Sequence, residues 1–208
     1  MESRTIAVRP GMPGGRLLGA LPDILTGIAC VIVWVSPFAF GQDAVKTVVL
    51  MMLMEFLLVH GTGFFTVVAF SDDLSRGKRV LAMLGLLAFY AMFVAVFAWM
   101  FHTWWPAWVF AWLVVAKGAW IFSAPRGREE EMQRQITTWA FSVLAYLAAV
   151  FGGVVLPLPQ FGLTPDVVST LGLPGGGEWM ERPHTAVSGM AFYYFAIAAF
   201  KLWRGGKA

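Results

Sequence analysis

The sequence predicts an all-α, polytopic integral membrane protein: a bundle of six transmembrane helices with a short interfacial helix in the last outer loop. Three observations predict it. The chain is 59% hydrophobic and 13% charged, whereas average soluble domains are about 25% charged. Its mean hydropathy is +0.71. The apolar residues fall into runs close to the roughly 20 residues that a helix needs to cross about 30 Å of hydrocarbon. Finally, the basic residues gather at alternate ends of those runs. A soluble fold of this composition would lack the polar surface to cover itself. The length suits one bundle rather than two domains.

Residues 1–21 read as a basic cytoplasmic segment, with Arg4, Arg9 and Arg16. Pro10, Pro13 and several glycines interrupt any helix there. The first apolar run exceeds a signal-peptide core and has no small-x-small cleavage pattern, so it reads as a retained helix. Pro22, with Asp23 beside it, is a start signal. That helix is expected over about 22–40, kinking or ending near Pro37.

The second helix is expected over about 44–70, after the turn Gly41–Gln42–Asp43. The third is expected over 80–101, after a polar loop. HTWWP makes a tight connection to a fourth helix over 105–122. The charged connector that follows has Arg126, Glu130 and Arg134 at i, i+4 spacing and reads as an extension of the fifth helix, 136–156. The sixth helix is expected over 184–203. Residues 22–203 thus form a single transmembrane domain, and 204–208 a cytoplasmic tail.

In the long loop before the sixth helix, Thr164 can cap, Pro165 suits a first turn, Asp166 favours a helix start and Gly172 can end it. Val167, Val168 and Leu171 would share the apolar face of that short helix. On the fifth helix Ala145, Ala149 and Gly153 recur every four residues, with Ala148 and Gly152 beside them. This spacing predicts a close helix–helix packing face.

Charge sets the orientation. Arg4, Arg9 and Arg16, then Arg76, Lys78 and Arg79, then Arg126, Arg128 and Arg134, then Lys201, Arg204 and Lys207 lie at one end of the spans. These four triplets are twelve of the fifteen Lys and Arg residues. Only Lys46 and Arg182 lie at the other end. The positive-inside rule then puts both termini in the cytoplasm, as in a bacterial inner membrane. Trp99, Trp104, Trp105, Trp108 and Trp179 cluster at the opposite, outer boundary and read as an interfacial belt.

The chain carries no Walker, Rossmann, HExxH or GxSxG pattern. It also has no basic patch interleaved with aromatics, so no nucleic-acid partner is expected. The expected partners are the lipid bilayer and other membrane proteins or further copies of the chain. The one cysteine, Cys30, reads as a small buried hydrophobe, and Met51, Met52 and Met54 as packing residues.

Charge in hydrocarbon is costly, so ionisable residues inside spans mark candidate sites. The candidates are Glu55, His60 and Lys117. Glu55 shares a face with Thr62 and Thr66, at i+7 and i+11. It lies about 140° around the helix from His60. Gly61 and Gly63 permit another helix or a bound group to approach closely. The leading expectation is a non-enzymatic membrane subunit or binding protein with a buried polar site at Glu55, His60, Thr62 and Lys117. One alternative is proton- or ion-coupled transport through Glu55 with His60 or Lys117. In the structural alternative Glu55, protonated or paired with Lys117, fastens two helices. A further reading is a haem, metal or quinone protein, for which His102 and His184 at the outer boundary are the candidate ligands. Composition and spacing assign no cofactor.

Overall fold

The structure, a computed structural model, describes residues 13–71, 73–112 and 128–204. Helices α1 (Pro13–Val35), α2 (Ala44–Phe70) and α3 (Arg76–Met100) come first. Residues 105–112 are also helical. Then follow α4 (Arg128–Val155), the short α5 (Pro165–Thr170) and α6 (Glu178–Glu181), and α7 (Pro183–Arg204). No strand occurs among the described residues. Among the described residues, five helices are long and apolar enough to cross a membrane: Leu17–Val35, Ala44–Ala69, Arg76–Met100, Ile136–Val155 and Pro183–Arg204. Of the expected fourth span, residues 113–122 lie outside the described residues, as does most of the connector after it.

Several boundaries differ from expectation. The first helix begins at Pro13 rather than Pro22, so Pro22 lies in its interior. A proline there removes one backbone donor. Continuing the helix through Leu17, Leu18 and Leu21 satisfies the rest of the backbone, which an apolar surrounding demands. The same helix stops at Val35, before Pro37. The third helix starts at Arg76, four residues early, and α4 extends back to Arg128, as the connector's charge spacing predicts. The loop helix forms with Thr164 at its N-cap position, but the threonine side chain makes no capping hydrogen bond. Val167, Val168 and Leu171 are half-buried on it, while Asp166, Ser169 and Thr170 are exposed.

α7 is the element on which the others pack. It lies against α1 most extensively, then α4, then α2, while α2 also packs on α3 and α4. Every residue from Pro183 to Ala191 is buried. Small side chains make this possible. A Cβ added at Gly153 would lie 2.8 Å from the Thr185 carbonyl oxygen, and one at Gly189 would lie 3.1 Å from that of Ala149. The backbones of α4 and α7 therefore nearly touch. Ala145, Ala149 and Gly153 are buried on this face, as their spacing predicts, whereas Ala148 is exposed.

Paired residues fix the directions. Gly153–Thr185 and Phe141–Phe200 run α4 antiparallel to α7. Gly27–Phe195 and Asp23–Lys201 do the same for α1. Met52–Gly189 and Glu55–Tyr194 set α2 parallel to α7. Gly61–Tyr90 and Ser71–Arg79 set α3 antiparallel to α2.

The outward faces are apolar, with Leu25, Ile28, Leu81, Leu84, Phe151 and Val155 exposed. Trp99, Trp104 and Trp108 project from the surface, while Trp105 and Trp179 pack against the core. At the end of α1, the Trp34 indole donates to the Pro159 carbonyl at 2.9 Å and the Gly162 amide donates to the Trp34 carbonyl at 3.1 Å. The loop after α4 is thereby tied down over α1.

The α4–α7 contact gives a matched test. Gly153→Ala should lower the thermal midpoint in detergent by the equivalent of about 1–3 kcal/mol, the usual cost of overpacking. Gly152→Ala, where the nearest atom is 3.9 Å from an added Cβ, should cost nothing. Equal midpoints for the two variants would refute the close approach.

Candidate functional site

Glu55 is the twelfth of the 27 residues of α2, and Tyr194 the twelfth of the 22 residues of α7. The parallel run of these helices brings the two mid-points together. The Tyr194 hydroxyl donates to Glu55 Oε1 at 2.9 Å, and the Tyr193 hydroxyl donates to Oε2 at 3.3 Å. Both carboxyl oxygens are therefore engaged from one helix by consecutive residues. Tyr146 of α4 packs edge-on against Tyr193, with ring centroids 5.9 Å apart. Its hydroxyl donates to the Met52 carbonyl at 2.9 Å, one turn before Glu55. Three of the four tyrosines in the chain thus surround one carboxyl.

A tyrosine hydroxyl both donates and accepts, and its hydrogen rotates to suit. Toward a carboxylate, Tyr193 and Tyr194 both donate. Toward a carboxylic acid, one of them turns and accepts. Rotation of one O–H bond therefore lets the same two hydroxyls pair with either form of the carboxyl.

A second polar contact lies two turns along α7. Lys201 Nζ stands 2.6 Å from Asp23 Oδ2 of α1. Between this pair and the tyrosines, the Phe195 ring lies on Gly27, 3.0 Å from where a Cβ would be.

The other sequence candidates lie apart from this centre or outside the described residues. His60 is half-buried on the next turn of α2. Its Nδ1 donates to the Phe56 carbonyl at 2.9 Å, and its ring packs on Phe56 with centroids 4.2 Å apart. His60 and Glu55 hence bond to different partners. Thr62 and Thr66 are half-buried, and the Thr66 hydroxyl donates to the Thr62 carbonyl at 2.7 Å. Aromatic side chains fill the glycine positions. Tyr90 lies over Gly61, and the Trp139 indole lies over Gly63 while donating to the Val59 carbonyl at 2.8 Å. Lys117 lies outside the described residues.

His102 is exposed, with φ 51°. It closes α3 by a left-handed turn, with Thr103 N donating to Ala98 O at 2.9 Å. Glycine or asparagine usually takes this position. His184 is buried in the first turn of α7. Among the described residues no group of three or more His, Cys, Asp or Glu side chains is placed to hold a metal ion.

Sequence reasoning found Glu55 and missed its partners. Tyr193 and Tyr194 are the chain's only adjacent tyrosines, in the middle of an apolar span, and that was the available signal. No protein family, curated protein or solved structure matches the chain.

The two tyrosine bonds differ in length, and their strengths should follow. Tyr194→Phe should destabilise the protein by roughly 1–2 kcal/mol, and Tyr193→Phe by less. In a Glu55→Ala background Tyr194→Phe should cost almost nothing. Denaturation midpoints of the four variants test this, and an undiminished cost in that background would refute the bond.

Proposed function

We propose that this chain is a small multi-pass membrane protein, without hydrolytic chemistry, whose Glu55 centre reversibly binds a proton. The observation that carries this reading is the carboxyl held by two tyrosine hydroxyls at mid-length of α2 and α7. A helix tie alone requires no ionisable group, and such a group in hydrocarbon is costly enough to mark function by default. The hydroxyls can pair with either form, both donating to the carboxylate and one of them accepting from the acid.

The proposal includes six spans, with both termini on the cytoplasmic side of a bacterial-type inner membrane. Directions within the bundle support the sixth. α3 and α4 both run antiparallel to α2, as Gly61–Tyr90 with Ser71–Arg79, and the Trp139–Val59 and Tyr146–Met52 bonds, require. In the proposal residues 101–127, enough for one more crossing, return the chain along the bundle. The split of Lys and Arg residues supports the orientation. In this arrangement α5 lies in the outer interface, and other membrane proteins or further copies of the chain meet the apolar outer faces.

A proton-coupled carrier is the second reading, favoured by the mid-length position of the carboxyl. In that case Glu55→Gln would fold and lose coupled transport.

Two measurements test the proposal. Infrared difference spectra between high and low pH should contain a carboxylic-acid band that Glu55→Gln removes. A spectrum unchanged by that substitution would overturn the proton-binding centre. A reporter fused after Ala208 should be active only in the cytoplasm, and export of the reporter would overturn the six-span orientation.

A further inference from the structure

We propose that the Asp23–Lys201 ion pair is a latch on the α1–α7 seam, and that water reaches Glu55 along this seam when the latch opens. The inference rests on the reading of Glu55 as a proton-binding residue and adds the route and the residues that control it.

The seam is a short ladder between antiparallel helices. Its first rung is the Asp23–Lys201 pair at 2.6 Å. Its second is Gly27 under the Phe195 ring. Its third is the level of Cys30 and Tyr194, where Tyr194 holds the Glu55 carboxyl. Asp23 and Cys30 are seven residues apart, as are Tyr194 and Lys201. Seven residues make about two turns, or roughly 10 Å, so each pair shares a helix face. The latch and the carboxyl therefore lie on one line.

The pair marks the edge of the bundle. The Asp23 side chain is 13% exposed and that of Lys201 39%. Asp23 is held inside, and Lys201 reaches it from the boundary. Lys201 lies three residues before the end of α7, in its last turn. A lysine there can swing its ammonium into the aqueous layer on its flexible stem. Doing so leaves the Asp23 carboxylate facing the seam without a counter-charge. With the tie gone, α1 and α7 part at this level and water enters the seam. Glu55 then exchanges its proton with that water. Arg204, further along α7, is held separately by a 3.1 Å bond to the Thr138 hydroxyl of α4.

Cys30 is the chain's one cysteine and is 1% exposed, so it reports on the seam without any engineering. The whole protein, in membranes, is treated with a small water-soluble methanethiosulfonate. Wild-type protein should label slowly. Asp23→Asn and Lys201→Gln should each speed labelling by about tenfold or more, the factor that corresponds to loosening the closed seam by roughly 1.4 kcal/mol. The reversed pair, Asp23→Lys with Lys201→Asp, should restore slow labelling. Unchanged labelling in both single variants would overturn the latch. Fast labelling in the reversed pair would overturn it as well, because the pair itself would then not be the seal. Failure of the Glu55 reading is separate: faster labelling in the single variants, with infrared spectra insensitive to Glu55→Gln, keeps the seam and removes its purpose.

Discussion

A polar atom surrounded by hydrocarbon must find its partner inside the protein, and that requirement organises this bundle. The Glu55 carboxyl takes two tyrosine hydroxyls. The Tyr146 hydroxyl and the Trp139 indole reach backbone carbonyls of α2. Asp23 takes Lys201. Glu55, Tyr146, Tyr193 and Tyr194 project from α2, α4 and α7 into the same region, so the polar contacts that join those helices also build the candidate site.

Apolar attraction alone would not choose this arrangement, because lipid tails solvate leucine as well as another helix does. Close backbone approach and directional bonds do the choosing. On the α4–α7 contact the glycines allow the approach, and Arg204 with Thr138 marks the far end of the same register. On the α1–α7 contact a single glycine accepts the Phe195 ring while the ion pair fixes the level. The same logic explains the aromatic rings over Gly61 and Gly63. A missing side chain on α2 becomes the seat of a large one from α3 or α4.

Much of the fold was legible because a crossing helix is written in runs of apolar residues about 20 long. The second helix, Ala44–Phe70, was readable to the residue, and the small-residue stripe on α4 marked a real contact face. Pro22 misled because proline is a strong break in water but a tolerable loss of one bond inside a longer apolar helix. The centrality of α7 was not legible. Its Thr185, Ala186, Ser188, Gly189 and Ala191 look unremarkable as hydropathy, yet their small volume is what lets several helices converge. α2 supplies the carboxyl. The helix that receives the carboxyl proved more deeply enclosed.

The candidate site shows why a single sequence reveals one half of a polar contact sooner than the other. Glu55 is conspicuous, since a carboxyl in a span is expensive wherever it points. Tyrosine is not, because its ring is at home in apolar surroundings and its hydroxyl is the smaller part of it. Charge reasoning therefore paired Glu55 with charged or titratable candidates such as Lys117 and His60. Neutral hydroxyls hold it in the structure. The distinction matters chemically. A lysine ammonium would favour the carboxylate and oppose its protonation, whereas a hydroxyl can turn to serve either form.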